Sequence, residues 1–393
     1  MKVLEGIKVL DFGRFIAGPF CAALLADYGA DVIRIDRLGG GEDRFIMPVT
    51  EHGEGALFLQ VNRNKRSMTL DLDKPEGREI VRKLVADADV VIANMPPRTL
   101  QNLGLDYESL CQIRPDIILV APTAFGTNEA VRDRVGFDGV GQALSGAVHI
   151  AGTPEQPQKA MVPVVDFATA FSCAMGTILA LYERQRSGMG QQVNASLLCT
   201  GLNMASGALI EEALLGLDRE AMLNRSPSYG PSDIFKVRDG WIVTQVIGHS
   251  MFKRWTQLVG HTELLDDPLF EDDTSRGLNG EVLSEYMSQW CKDLSQKEAL
   301  ALLKKSRIPA SPVNSPRQAL QDETIKAADV IHWMDYPGVA KKVPIFATPV
   351  SLSRTPPEIS KRPPLTGEHT DEILVELGFD ATAIAGLRQY NVV

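Results

Sequence analysis

The segment MVPVVDFATAFSCAMGTILAL, residues 161–181, holds a single charged side chain, Asp166, near the start of a long apolar run. Two roles suit a carboxylate in that position. As a helix N-cap, its oxygen accepts an N–H from the first turn. As a nucleophile, it attacks an electrophilic carbon, and dry surroundings strengthen it by removing its water shell. The roles are compatible, because a helix terminus favours the charge while burial opposes it. A second cluster, NRNKRS at 62–67, sets Arg63, Lys65 and Arg66 just ahead of a strand, either as a solvated turn or as a cradle for phosphates. Arg34 and Arg37 flank the end of the preceding strand and add to the phosphate reading, and Asp36 sits where a ribose-binding acid would stand.

These side chains need a scaffold. KVLDF (8–12) reads as a strand, AGPFCAALLADYG (17–29) as a helix ending at Gly29, and DVIRID (31–36) as a second strand. SMTLDL (67–72) is strand-like, and PEGREIVRKLVADA (75–88) is a helix with Pro75 in its first turn. DVVIAN (89–94) and DIILVAP (116–122) continue the alternation, which predicts an α/β fold with a parallel sheet covered on both faces. The glycines of DFGRFIAGP are spaced G-x-x-x-x-G, and no Lys-Ser/Thr follows. Neither a dinucleotide site nor a P-loop has that pattern, so the βαβ unit reads as structural and NAD is not expected.

From about Asn224 the texture changes. YGPSDIFKVRDGWIVTQVIG predicts two antiparallel strands around the Arg238-Asp239-Gly240 turn, followed by helices through Leu303, as in a smaller α+β domain. A Pro- and Lys-rich linker leads to a helix from about Asp371 to Leu377, ended by Gly378 and capped by Thr370. The neighbouring Glu368 and His369 are read as local to that helix start, not as catalytic groups.

Composition narrows the function. At 393 residues the chain is too long for one ordinary core, so two domains are expected. Five cysteines without CxxC spacing and six histidines without HxxxH pairing predict neither a disulfide framework nor a metal site, and suit a reducing, cytoplasmic compartment. A net charge of −10 argues against nucleic acid as a partner, though a local basic patch can still hold a phosphorylated small ligand. No signal peptide is expected, and the Asp166 helix reads as a buried core helix and not a membrane span.

Nine motifs occur in one order: VLDFGRFIAGPF, GADVIRIDRLGGGEDR, NRNKRSMTLDLDKPEGRE, ADVVIANMPP, LGLDYESL, GFDGVGQALSG, the Asp166 segment, GQQVNASLL and GEHTDEIL. Together they closely resemble the family III CoA-transferases, which include formyl-CoA and carnitine CoA-transferases with the α-methylacyl-CoA racemases as relatives. The resemblance spans about residues 4–379. It implies a large Rossmann-like CoA-binding domain over residues 1–223 completed by 326–393, a small α+β domain with linkers over 224–325, and an interlocked homodimer. It implies Asp166 as the catalytic aspartate, with coenzyme A, carried as acyl-CoA, against Ile16, Ala17, Arg37, Leu70 and Asn94. The second substrate it implies is a small carboxylic acid.

The departures from the family pattern carry information. Ile16 stands where formyl-CoA transferase has a glutamine. Asn94-Met95-Pro96-Pro97-Arg98 replaces the common N-F-R-P-G stretch and Asn102 replaces a downstream arginine, which leaves Arg98 as a candidate for the phosphates. The small domain lacks the glycine run of the formyl-CoA enzyme and keeps only VIGHS around Gly248. The racemases use a G-H-D motif, whereas this chain has Gly136-Phe137-Asp138, and a phenyl ring accepts no proton. Phe137, Asp138 and Gly248 are therefore expected around the acyl group, with backbone N–H groups near Ala17 and Gly248 as oxyanion donors. The expected reaction is CoA transfer through an aspartyl-CoA thioester on Asp166. Racemisation, with His149 as the remaining candidate second base, and CoA or nucleotide binding without catalysis are the alternatives.

Overall fold

Six strands pair in parallel: β1 (Lys8–Asp11), β2 (Asp31–Asp36), β3 (Arg66–Thr69), β4 (Val90–Ile92), β5 (Ile118–Thr123) and β6 (Gln192–Ser196). Their order in the sheet is β3-β2-β1-β4-β5-β6, the doubly wound arrangement, and β1 and β4 flank the point where the winding reverses. The computed structural model describes residues 2–393 and separates into two units. One comprises the chain up to Ser145, Ala160–Leu209 and Asp329–Val393, and the other Gly146–Lys159 and Ile210–Ala328.

Alternate strand residues feed two cores. Val9, Val32, Val90, Ile92, Ile118 and Val120 point to one face, against α1 (Ala17–Asp27) and the long helix holding Asp166. Leu10, Ile33, Ile35, Met68, Val91 and Leu119 point to the other, against α2 (Pro75–Asp87) and the C-terminal segment. Each fully buried aliphatic side chain contributes about 1.5–3 kcal/mol of transfer free energy, so both faces must stay covered. The Asp166 helix is long and apolar enough to cross a membrane by composition alone. Its Ala170, Cys173, Ala180 and Leu181 instead pack into the core beside α1.

The cluster NRNKRS is neither a solvated turn nor a phosphate cradle. Arg63 is buried and donates to Asp27 at 2.6 Å. Lys65 is buried and donates to Asp11 at 2.7 Å, to the Pro19 carbonyl at 2.7 Å and to Asn62 at 2.8 Å. Arg66 joins Asp31, Glu372 and Glu376. Arg34 meets Asp36 and Asp43, and Arg44 meets Asp36. Burial works against ionisation of Asp36, yet Arg34 and Arg44 hold its carboxyl below the ordinary range, so it is spent on ion pairs and not free for a ribose. The physical reason is water exclusion: a cation between sheet and helix has only protein to solvate it and must face a carboxylate.

In the second unit, β7 (Ser232–Val237) and β8 (Gly240–Gln245) form the expected hairpin, extended by β9 (Ala310–Pro312). Residues 146–159 and 210–223, read in sequence as part of the large domain, belong to this unit, and the Leu223 N–H donates to the Gly152 carbonyl at 2.8 Å. At the C-terminus the expected helix spans Thr370–Glu376, but Thr370 does not cap it. Its hydroxyl accepts the Thr69 N–H at 3.1 Å, tying the segment to β3, and a further helix, Ala381–Gln389, follows.

Replacing Asp27 by alanine strands the Arg63 guanidinium in the core. The expected loss is about 3–5 kcal/mol of stability, read as an earlier urea midpoint by circular dichroism, with Asp27→Asn intermediate.

Candidate active site

The loop after β1 is built to hold an open mouth. The Asp11 carboxylate accepts the Gly13 N–H at 2.8 Å while its other oxygen meets Lys65. At the end of β4, Asn94 clasps the loop, accepting the Arg14 N–H and donating to the Arg14 carbonyl, each at 2.7 Å. Gly18 lies against Gly13, where a Cβ would sit 3.1 Å from the Gly13 Cα. Phe15 is held at φ 63° just before α1, and its ring meets Phe137 edge to face at 5.3 Å.

Two cavities open along this line of strand ends. One, about 370 Å³, is lined by Arg14, Asp36, Arg37 and Leu70 among others. The other, about 390 Å³, is lined by Phe15, Ala17, Asn94, Phe137 and Asp166 among others. Arg14, Met95 and Thr99 line both, which makes them neighbouring parts of one cleft at the winding reversal.

Asp166 lies in the first turn of α5 (Val164–Ser187), since α3 (Pro97–Leu103) and α4 (Asp138–Leu144) precede it. It is not the N-cap: that position is Pro163, whose side chain makes no capping bond. Asp138, from the start of α4, does the capping instead. One of its oxygens accepts the N–H groups of Val165 at 2.8 Å and Asp166 at 3.1 Å. Its other oxygen is held by Gln142, which also accepts the Ala160 N–H at 2.8 Å. Burial, and then the Asp138 carboxylate, push the Asp166 carboxyl up to about 7, with the Asp138 backbone N–H as a partial offset. A half-buried acid with that value titrates where a catalytic nucleophile or base is useful.

The expected site residues are thus sorted by the fold. Ala17, Asn94, Phe137 and Asp166 share one cavity, and Arg37 and Leu70 share its neighbour. Arg37 donates to the Gly40 carbonyl and pairs with Glu42. Ile16 is buried at the N-cap of α1. Arg98 is exposed on α3 and lines neither cavity, so it is not brought to the cleft. Asp138 acts through the helix start and does not line the pocket. Gly248 belongs to the second unit, and its N–H is donated to Asp273 at 2.8 Å.

Arg14, Arg132, Arg134 and Gln142 are the cleft and support residues that sequence reading did not single out. Arg14 had a usable signal, standing within DFGRFIAGP directly after the first strand. The others lie in the connection after β5, which has no periodic pattern, or on a short helix. Among the described residues no group of three or more His, Cys, Asp or Glu side chains is placed to hold a metal ion.

A cleft of this form is that of a doubly wound α/β enzyme that takes a nucleotide-bearing molecule across its strand ends. Comparison supplies the family: residues 4–370 match CoA-transferase family III. Succinyl-CoA–D-citramalate CoA-transferase of Chloroflexus aurantiacus is 32% identical over 100% of this chain and 98% of its own. Human succinyl-CoA:glutarate CoA-transferase is 31% identical over 100% and 90%. Among solved structures, a CaiB/BaiF family protein from Brucella suis superposes with a TM-score of 0.84 at 32% identity, covering 96% of this chain and 99% of its own. The chain belongs to CoA-transferase family III, and it is an acyl-CoA:carboxylate CoA-transferase.

The raised Asp166 carboxyl has a cost in stability. Between the unfolded value of about 4 and the folded value of about 7, the folded chain holds a proton that the unfolded chain has lost, so stability falls as pH rises through this window. Asp166→Asn, which cannot ionise, is expected to be more stable than the parent at pH 8 by roughly 1–3 kcal/mol, part of the shift being relaxed by cleft solvent. The gap in thermal midpoints should close toward pH 5, and a gap independent of pH would show that Asp166 is not the titrating group.

Proposed function

We propose that the enzyme moves CoA from an acyl-CoA thioester to a free carboxylic acid through a covalent aspartyl-CoA thioester on Asp166. The observation that carries this reading is the half-buried carboxyl of Asp166, raised to about 7, at one end of a cleft whose other end is suited to a nucleotide. Above that pH the carboxylate attacks the donor carbonyl. The C–S bond breaks, CoA leaves as thiolate, and an acyl-aspartyl anhydride remains. The thiolate attacks the aspartyl carbonyl of the anhydride, forming the aspartyl-CoA thioester and releasing the donor acid. An acceptor carboxylate then attacks that thioester, giving a second anhydride and the thiolate. Attack of the thiolate on the acceptor's acyl carbon forms the new acyl-CoA and restores Asp166. Bonds and charge balance, since one thioester replaces another.

Each attack develops an oxyanion. The start of α1 offers N–H groups without intrahelical acceptors, and Ala17 lines the Asp166 cavity. A single lost donor of this kind costs about 2.7–4 kcal/mol of activation energy. The Gly248 N–H, expected in the same role, is already donated to Asp273, which leaves the α1 terminus as the donor. Adenosine and phosphates are assigned to the cavity of Arg37 and Leu70, with the pantetheine arm passing Arg14 and Asn94. No observation favours racemisation: Phe137, and no histidine, lines the Asp166 cavity.

The working form is a homodimer in this reading. Phe171, Met175, Ile178, Leu179 and Tyr182 leave an apolar stripe exposed along α5, more than a soluble surface ordinarily leaves bare. Light scattering is expected to give twice the 42.9 kDa chain mass, and a monomer at micromolar concentration would overturn this assignment. For the chemistry, incubation with succinyl-CoA followed by peptide mass spectrometry should place a CoA adduct on Asp166. Asp166→Ala should show no adduct and no transfer, and transfer persisting in that variant would sink the mechanism.

A further inference from the structure

Among the described residues eight non-glycine positions hold a positive φ, and of these Phe15 alone lines the Asp166 cavity. At φ 63° it takes a backbone conformation that glycine adopts freely and a bulky side chain rarely does. Its surroundings enforce that conformation. The Phe15 N–H is donated to Asp43 at 3.3 Å, and the Arg14 N–H and carbonyl before it are both clasped by Asn94. Nothing in that clasp needs a side chain at position 15, so a glycine would serve the turn with less strain. A disfavoured residue held at a cleft points to a task for the side chain itself.

The Phe15 ring is half-buried and packs against the core beside α1. Phe137, 57% exposed, meets it edge to face at 5.3 Å, the arrangement that aromatic quadrupoles favour. The rings come from separate segments, the loop after β1 and the residue before α4. Together they run from core to surface along the cavity that holds Asp166, and they offer water no hydrogen bond. The transfer reading supplies a need for such a wall. Its anhydride and its aspartyl thioester are both acylating agents. Water attacking either one adds its oxygen to the carbonyl carbon, breaks the acyl bond and leaves a carboxylic acid. Over the whole cycle acyl-CoA and water then become free acid and CoA thiol, and no acceptor is activated.

We infer that Phe15 and Phe137 form an apolar shield that keeps water from acylated Asp166, and that the pair sets the partition between transfer and hydrolysis. The inference rests on the transfer reading and deepens it. Asp166 carries the acyl chemistry, and the two rings decide which nucleophile completes it. Excluding water from a closed or walled site prevents hydrolysis of reactive intermediates without any group having to act on the reacting atoms.

The test incubates the enzyme with succinyl-CoA and isotopically labelled succinate. Label entering succinyl-CoA measures transfer, because the acid released in the first half of the cycle is an acceptor in reverse. Free CoA, separated by chromatography, measures loss to water. The parent should exchange label far faster than it releases CoA. Phe15→Gly should raise the ratio of release to exchange about tenfold. Its circular dichroism should match the parent, since glycine suits φ 63°. Phe137→Ala removes a ring that is mostly outside the core and should raise the ratio in the same direction, so the test stands even if the glycine variant fails to fold. Phe15→Leu, which keeps apolar bulk, should fall between the parent and Phe15→Gly. An unchanged ratio in the folded variants overturns the inference, including the case where exchange and release fall together. A parent that forms the Asp166 adduct yet releases CoA as fast as it exchanges label overturns this inference alone. Absence of both adduct and exchange removes the transfer reading beneath it.

Discussion

The buried pair between Lys65 and Asp11 is the constraint from which the cleft follows. Asp11 closes β1, and its second oxygen ties the Gly13 N–H, so the chain must turn sharply where the sheet's winding reverses. Lys65 reaches across to the Pro19 carbonyl in α1 and to Asn62, which in turn meets Arg34. Burial pushes the Lys65 ammonium down to about 8, against the pull of Asp11. An ammonium without that carboxylate would lose its charge or draw water into the core. Strand ends, first helix and the cavity of Arg37 and Leu70 are held by one buried ionic lattice.

Asp138 plays the corresponding part at the Asp166 end of the cleft. A helix start ordinarily stabilises a nearby carboxylate through its free N–H groups. Here Asp138 takes two of those groups, and Gln142 holds Asp138 in place. Asp166 is left with burial and a neighbouring negative charge, and its carboxyl rises. A carboxylate in an apolar cleft beside a like charge, with the Asp138 backbone N–H only a partial offset, is costly to ionise, and the same loss of water would strengthen it as a nucleophile.

Much of the scaffold was legible because it is local. Strands at 8–11, 31–36 and 118–123 show as short apolar runs, and Pro75 marks a helix start that the structure keeps. Asp166 stood out as one charge in an apolar stretch. Its role as a cap was misread because the capping carboxylate comes from position 138, on another helix. Arg63, Lys65 and Arg66 read as a surface feature because a run of cations usually is one, and their partners Asp27, Asp11 and Glu376 lie up to 310 residues away. Arg98 had the right chemistry for a phosphate, but the helix it stands on turns it away from both cavities.

What the sequence by itself determined is the class of fold, the family and the prominence of Asp166 as the one charge in an apolar segment. Each is written in periodicity, in motif order or in one residue's conspicuous type. What only the tertiary structure decided is which charges are spent on the core and which remain for a ligand. Arg63 and Arg134 have identical side chains, and one is locked to Asp27 while the other faces the cavity of Asp166. Their difference arises from water access and from partners brought together by folding, and electrostatic free energy depends on both. Distance along the chain carries neither.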